Sequence, residues 1–410
     1  MDRQKKNRPL AVVAMSGGVD SSLAAFLLKE QGYQVVGISM KLWDFKEVGG
    51  DPHPDGRCCS VEALNDARAI CEKMGIPHYV IDFKDDFKKT VILNFVEEYE
   101  KGRTPNPCIV CNTEIKWRCL WEKAKALGAE FLATGHYARI KYDEKAKKFL
   151  LRKGVDPTRD QSYALWGLSQ ENLSRTIFPL GELTKREVRA KAKEHKLKVA
   201  EKMESQEICF VADDDYPRFI KEWLDKQGQG LALSEVEGLV LSEVEGSRAC
   251  PERSRRARGQ GGKIRRGPIF NLKGEKIGEH KGIPFYTIGQ RRGLSIALGK
   301  PLYVIRIEPD KNAIYVGEDN DLFRSTFTVS HLNWIAFDDL EKERECRIKI
   351  RYQHQPQEGR ISSLTKNEVM VKFKKSERAI TPGQSAVFYQ DDVVLGGGII
   401  NRVVNDWSAD

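Results

Sequence analysis

Two stretches of this chain have residue types and spacing suited to chemistry. The first is Ser16-Gly17-Gly18-Val19-Asp20-Ser21-Ser22. Two glycines let the backbone turn sharply and aim several N–H groups at one point. Hydroxyls and a helix start add to the same spot, which suits an anion such as pyrophosphate. The lysine of G-x-x-x-x-G-K-[ST] is missing, so γ-phosphoryl transfer is not what the loop suggests. The second is Cys108-Ile109-Val110-Cys111, approached through Gly102-Arg103-Thr104-Pro105-Asn106-Pro107. A thiol at a helix start with Lys116 and Arg118 nearby should have a depressed pKa and react as thiolate. C-x-x-C also serves redox pairs and half of a zinc site, but a structural zinc needs a second spaced pair. Only the adjacent Cys58-Cys59 is on offer, so reactive or cluster-ligand thiols rank ahead of zinc. Cys209, between Glu204-Ser205-Gln206-Glu207-Ile208 and Phe210, is unremarkable by itself.

The elements that must position these residues follow from the hydrophobic pattern. Leu10–Met15 is a short apolar run of buried-strand length, and Leu23–Lys29 continues at helical period, with Asp20, Ser21 and Ser22 as capping candidates. Tyr33–Met40 reads as the next strand, ending on Met40 at the edge where open α/β sheets bind ligands. His78–Phe83 and Phe131–Thr134 follow as strands, the latter leading into Gly135-His136-Tyr137. Helices are predicted over 61–74, 87–101 and 114–127, the last beginning near Cys111 because Pro105 and Pro107 disfavour helix before Cys108. Alternating strands and helices over 9–140 predict a doubly wound parallel sheet. Leu183–His195 reads as a basic amphipathic helix with a solvated face. From Gly267 onward short strands and turns predict a small β-barrel. Its expected strands include 302–307 and 313–317, a hairpin around Pro309-Asp310-Lys311-Asn312, and then 346–352, 368–373, 385–390 and 393–400. Gly278–Leu294, with His280, Tyr286, Gln290, Arg291 and Arg292, is a basic-aromatic loop suited to an RNA groove or to capping the middle domain.

With 410 residues the chain has room for two or three domains, and 40% hydrophobic with 31% charged residues describes a soluble globular protein. The net charge of +9 permits a nucleic-acid partner without demanding one. No apolar run approaches membrane-spanning length, and the polar, basic Met1–Pro9 lacks an apolar segment behind it. That predicts a cytoplasmic protein without a membrane partner. Nine cysteines in that compartment point to thiol or metal chemistry rather than structural disulfides. One segment stands apart: Leu-Ser-Glu-Val-Glu-Gly at 233–238 recurs at 241–246 and is followed by an Arg-rich run over 248–258. Two copies make no solenoid and nothing there can bury a core, so 231–261 reads as a disordered insertion without a catalytic task.

Taken together, S-G-G-V-D-S at 16–21, G-R-T-P-N-P-x-x-x-C-N at 102–112, T-G-H-Y at 134–137 and R-D-Q-S-Y at 159–163 resemble the tRNA-specific 2-thiouridylases. So do I-C-F at 208–210, G-Q-R at 289–291 and T-P-G-Q at 381–384, so the likeness spans nearly the whole chain outside the insertion. The resemblance implies an ATP-pyrophosphatase loop at Ala14, Met15, Ser16, Gly17, Gly18, Val19, Asp20 and Ser21, with Met40 and Gly135 also on the nucleotide. It implies Cys111 as the catalytic cysteine and Cys209 as the persulfide carrier. Asn106, Pro107 and Cys108 would surround the target base. His136, Arg159, Asp160, Gln161, Arg351, Tyr352 and Gln384 would contact tRNA. ATP and Mg²⁺ are implied, with tRNAs for Lys, Glu and Gln as acceptors and a sulfur-relay protein or cysteine desulfurase as donor. Many relatives have Asp where this chain has Cys108, and Cys108, Cys111 and Cys209 with an open fourth position could instead ligate a [4Fe–4S] cluster.

The expected architecture is an α/β N-terminal domain, adenine nucleotide α-hydrolase-like, then a small central domain and a C-terminal β-barrel. Its divisions are catalytic 1–165, a helical connecting segment 166–225 carrying Cys209, the insertion at 228–261, the central tRNA-binding remainder 262–300 and the barrel 301–410. Two other readings compete with thiolation. Another ATP-pyrophosphatase-loop enzyme, whether tRNA-modifying or an amidotransferase-type synthetase, is the first; a small-molecule synthetase gives no reason for C-x-x-C, a distant cysteine and a basic barrel together. A non-catalytic RNA-binding module is the second, and the intact loop and both cysteines stand against it.

Overall fold

The computed structural model describes residues 8–44, 48–49, 61–201, 208–211, 213–228, 264–296 and 299–404. The repeat segment 231–261, Cys58, Cys59, Cys250 and Glu204–Glu207 lie outside the described residues.

The N-terminal unit is built on β1 (Leu10–Ala14), α1 (Val19–Glu30), β2 (Gln34–Lys41), α2 (Val61–Met74) and β3 (His78–Asp82). Helix α3 (84–100) and helix α4 (107–126) come next, then β4 (Phe131–Ala133), the hairpin β5 (Ala138–Asp143) and β6 (Lys148–Lys153), and β7 (Thr176–Ile177). Helices α5 (Lys185–Glu194) and α6 (Tyr216–Gly228) complete it. The sheet runs β3-β2-β1-β4-β7, and every pairing is parallel. Side-chain alternation along β1 sends Val12 and Ala14 into one core and Ala11 and Val13 into another, so both faces of the strand are covered. From β1 the chain moves outward to β2 and β3, then returns to the other side at β4. The topological switch point therefore lies between β1 and β4, where α/β sheets bind ligands.

Two helices depart from the simple pattern. The ten residues Cys111–Leu120 of α4 and the five residues Lys88–Ile92 of α3 adopt the wider i→i+5 winding, which recurs at functional sites. Helix α4 also starts at Pro107, a full turn before the predicted start near Cys111. Proline is well suited to the first helical position, where its missing N–H has no partner to lose, while Asn106 before it is extended.

The central sheet comprises β8 (Gly267–Asn271), β9 (Lys276–His280), β10 (Tyr303–Glu308) and β11 (Ala313–Gly317), ordered β10-β11-β8-β9. The 303–317 hairpin, expected among the barrel strands, belongs here instead. Strand β11 pairs in parallel with β8 through Ile314 opposite Ile269, a contact that no local pattern encodes. The barrel is formed by β12 (Phe323–Trp334), β13 (Arg344–Lys349), β14 (Gln357–Thr365), β15 (Glu368–Arg378), β16 (Ser385–Gln390) and β17 (Val393–Val403). It runs β12-β15-β14-β13-β16-β17 and closes through β12–β17. Ile348, Ile361, Val371 and Phe388 fill its interior, whereas Val387, Tyr389 and Val394 face outward into the N-terminal core. The β5–β6 hairpin extends this sheet, with Arg152 opposite Val393. Arg139 and Arg152 both reach Asp392, at 2.8 and 2.9 Å. No helix of the described residues is long and apolar enough to cross a membrane.

Candidate functional site

The carboxyl ends of β1 and β4 meet at the first turn of α1. Gly18 caps that helix with extended backbone, and Gly17 takes φ +71° with no room for a side chain: a Cβ there would sit 2.1 Å from the Ala63 carbonyl oxygen. Both demands, left-handed backbone and close approach, select glycine. Ser21 Oγ accepts from the Ser16 N–H and pairs with Ser16 Oγ, each at 3.1 Å, and Ser22 Oγ donates to the Gly18 carbonyl at 2.8 Å. These hydroxyls shape the loop. Ala14, Met15 and Val19 are buried beneath it, with Ser39 Oγ donating to the Met15 carbonyl at 2.9 Å. Gly135, just beyond β4, presses on the same turn: its Cβ would come within 2.7 Å of Asp20 C and Ser21 N. Met40 is the penultimate residue of β2 on this edge, opposite Ile81 of β3.

Asp20 is held by partners remote in sequence. The Tyr137 hydroxyl donates to Oδ1 at 2.7 Å, and the Lys185 ammonium reaches both carboxylate oxygens at 2.8 Å. Lys185 is itself fixed, since its backbone N–H donates to Asp156 at 2.9 Å and Thr184 caps α5 reciprocally with Glu187. Sequence reasoning missed Lys185. Its place directly after the Thr184 cap is the only signal separating it from its exposed neighbour Arg186.

The thiol-bearing helix lies beside this crevice, and His136 joins the two. His136 Nδ1 pairs with Thr134 Oγ1 at 2.7 Å, and its ring meets Trp117 and Phe178 at centroid distances of 5.8 and 6.0 Å. Burial drives the imidazole well below its ordinary 6.5, and the Lys116 charge adds to that, so it is neutral near pH 7. Lys116 is aimed by Asn112, whose side chain accepts from it at 2.9 Å and donates to the Ala164 carbonyl at 2.8 Å. The depressed thiol pKa expected for this segment is not found at Cys108. Its side chain is accessible at the surface, yet the surrounding protein desolvates the sulfur. That desolvation pushes the thiol up, and Lys116 opposes it only in part. Arg118 gives no help, being paired with Glu114 at 2.8 Å on the exposed side.

A depressed histidine ties stability to pH with a definite sign. The unfolded chain binds the proton more readily than the folded one, so stability is lost as pH falls below about 6.5. His78 and His280 are lowered by burial too and share the slope. Urea midpoints at pH 7.5 and 5.5 are expected to fall for the wild type and to fall less for His136→Gln.

The approach to the thiols is a junction of all three modules. Gly102 (φ +66°) admits Ile307 Cγ2 to within 2.7 Å of where a Cβ would stand. Arg103 pairs with Glu98 at 2.6 Å and donates to the Ile400 and Asn401 carbonyls at 3.3 Å. Thr104 donates its N–H to the Pro382 carbonyl at 2.9 Å and pairs its hydroxyl with that of Thr287 at 3.0 Å. Gln384 Nε2 donates to the Thr104 and Pro105 carbonyls at 2.9 and 3.2 Å. Gly383 (φ +92°) has the Thr104 backbone 2.8 Å from its would-be Cβ. Strain and clash of that kind cost about 2–4 kcal/mol, so Gly383→Ala should lower the melting temperature by several degrees.

Cys209 is anchored by its neighbour. Phe210 is buried among Phe87, Phe95 and Phe219, at centroid distances of 5.6, 5.2 and 5.2 Å. Cys209 and Cys111 are both half-buried against the same core. Among the described residues no three His, Cys, Asp or Glu side chains converge closely enough to hold a metal ion.

The remaining candidates divide by what they bond. Asp160 accepts from the Gly154 and Ser162 N–H groups and from Ser162 Oγ, at 3.0–3.2 Å, and so shapes its turn. Gln161 exchanges two 2.9 Å hydrogen bonds with the Tyr137 backbone, which places Tyr137 on Asp20. Arg351 donates to the Arg378 carbonyl at 2.7 Å, while Tyr352 keeps 43% of its surface exposed. Arg159 is partly exposed on the Asp156–Asp160 turn. In the 278–294 loop, His280 and Tyr286 are buried and Gln290 bonds within the loop, leaving Arg291 and Arg292 exposed.

A parallel sheet with a glycine-rich anion loop at its switch point, beside a cysteine-bearing helix, has the architecture of an adenine-nucleotide-binding domain. Residues 10–213 match the tRNA methyl transferase HUP domain, 260–318 the tRNA methyl transferase PRC-barrel domain, and 324–400 the aminomethyltransferase beta-barrel domain. The tRNA-specific 2-thiouridylase MnmA of Carboxydothermus hydrogenoformans is 44% identical over 396 residues, 96% of this chain and 98% of that one. Its counterpart in Salinibacter ruber is 46% identical over 400 residues, 97% and 95% of the two chains. The chain belongs to the tRNA-specific 2-thiouridylase family.

Proposed function

We propose that this protein uses ATP to replace the C2 oxygen of the wobble uridine of tRNA with sulfur. One observation carries the reading: Gly135 presses on the anion loop while His136, the next residue, shares the field of Lys116 with Cys108. A nucleotide and a base seated across that dipeptide would be neighbours.

The uridine O2 attacks the α-phosphorus of ATP, the bridging P–O bond breaks, and pyrophosphate leaves. Loop N–H groups and the helix start stabilise the departing charge. A persulfide on Cys209 then supplies its outer sulfur to C2, and the C2–O bond breaks with release of AMP. As the S–S bond of the persulfide opens, Cys111 closes a disulfide with Cys209, which an external dithiol reduces. Neutral His136 can accept or donate a hydrogen bond to the base without adding charge. Mg²⁺, when bound with ATP, would supply charge neutralisation on the phosphates, while Asp20, whose oxygens are taken by Lys185 and Tyr137, shapes the loop. In this reading Ala14–Ser21, Met40 and Gly135 bind ATP, and Asn106, Pro107 and Cys108 flank the base. Arg159, Arg351 and Tyr352 meet tRNA, while Asp160, Gln161 and Gln384 act by shaping the surfaces beside them. The reaction belongs to the cytoplasm, with tRNAs for Lys, Glu and Gln as acceptors and a sulfur-relay protein or cysteine desulfurase as donor.

The test is an anaerobic incubation with Mg·ATP, cysteine and a cysteine desulfurase as persulfide donor, a dithiol and an unmodified tRNA-Lys transcript. Digested RNA should contain 2-thiouridine and the nucleotide product should be AMP. ADP in place of AMP would overturn the reading.

A further inference from the structure

Strand β13 carries two cations on its outward face. Its inward residues Cys346 and Ile348 enter the barrel core, so Arg347 and Lys349, two apart, face the N-terminal domain. Arg347 is exposed there, but Lys349 is only 9% exposed, and its ammonium lies 5.6 Å from the ring centres of both Tyr163 and Tyr352. Across the interface Lys153, half-buried on β6, places its ammonium 4.4 Å from the Tyr389 ring and within 3.2 Å of the Asp391 carbonyl oxygen. Among the described residues neither lysine makes an ion pair. The charged neighbours are Arg347, Asp160, Asp391 and Asp392. Asp160 is already satisfied by Gly154 and Ser162, and Asp392 by Arg139 and Arg152.

Asp160 is the strongest charged neighbour of both lysines, but its oxygens are bonded to Gly154 and Ser162, so two desolvated ammonium groups sit near Arg347 without a direct ion pair. Burial lowers both lysines; Asp160 opposes it, and repulsion by Arg347 on Lys153 and by Lys153 on Lys349 adds to it. Such a cluster is complementary to an anion. The exposed Tyr352 ring beside it suits an unstacked base, and a phosphate next to a stacked base is the repeating unit of single-stranded RNA.

We propose that Lys349, Lys153 and Arg347 form a subsite for an RNA backbone phosphate, with Tyr352 as the platform for the adjoining base. This rests on the tRNA-thiolation reading and names a contact set within it. Where the barrel meets the β5–β6 hairpin, the cations fix the RNA strand by its backbone, without reading sequence.

The test is binding of unmodified tRNA transcript to the full chain at several salt concentrations, for wild type, Lys349→Met, Lys349→Arg, Lys153→Met and Arg347→Gln. Each loss of charge should flatten the plot of log affinity against log salt by about one unit or slightly less, while Lys349→Arg keeps the wild-type slope. ATP affinity should not change. Unchanged slopes in all three charge-removing variants would overturn the subsite, and so would weakened ATP binding with an unchanged tRNA slope. If Lys349→Met fails to fold, the exposed Arg347→Gln and half-buried Lys153→Met read the same quantity. Failure of the wild type to bind tRNA would instead sink the underlying function.

Discussion

Cys209→Ser is expected to abolish 2-thiouridine formation while leaving pyrophosphate release intact. Serine preserves the size of the side chain but cannot carry a transferable sulfur. The fold should hold, because the neighbouring Phe210, not Cys209, anchors this segment among Phe87, Phe95 and Phe219. Losing a residue that forms a covalent intermediate costs on the order of 10³-fold or more in rate. Adenylation precedes sulfur transfer, so one equivalent of pyrophosphate per active site should still appear in a rapid-quench experiment. Cys111→Ser should share the thiolation loss but still accept sulfur on Cys209, seen as added mass on the intact protein. More than a tenth of wild-type thiouridine from Cys209→Ser would remove it from the sulfur path.

Gly135→Ala should weaken ATP binding by about 100-fold, or ~2.7 kcal/mol, with tRNA affinity close to wild type. The added methyl would sit 2.7 Å from Asp20 C and Ser21 N, both backbone atoms that cannot swing aside as a side chain could. Relief requires the first turn of α1 or the end of β4 to shift, and that turn supplies the N–H groups for the phosphates. The damage is therefore aimed at one substrate. Calorimetric titration with a non-hydrolysable ATP analogue, beside tRNA anisotropy, separates the outcomes. Equal loss of both affinities would mean general unfolding, and unaltered ATP binding would place the nucleotide elsewhere.

The legible parts of this molecule were those with local causes. Glycine pairs, a short apolar strand and a helical period announce the loop at 16–22, and β16 starts and ends where its alternation predicts, Ser385–Gln390. The illegible parts depend on distant partners. Nothing near Lys185 foretells Asp20, and nothing near Arg152 foretells Val393. The 303–317 hairpin has a clear turn signal, yet only its parallel pairing with β8 decides which sheet owns it. The early start of α4 shows the opposite error, since two prolines argued against helix at the position where one of them begins it. For Asp160, Gln161 and Gln384 the family pattern marks the positions, whereas the hydrogen bonds show side chains occupied in shaping the protein itself.

The clamp around Thr104 limits how such proteins can be recombined. Thr104 and Pro105 are gripped by Thr287 of one module and by Pro382 and Gln384 of another just before the chain enters the thiol helix at Pro107. A barrel grafted from a relative brings its own version of the 381–384 turn, and a mismatch of a few tenths of an ångström there would be passed along a stiff proline-bounded lever to Cys108 and Cys111. Chimeras should therefore work only when the donor barrel arrives together with the donor 102–107 loop, which makes these two short segments, far apart in the gene, a single heritable unit.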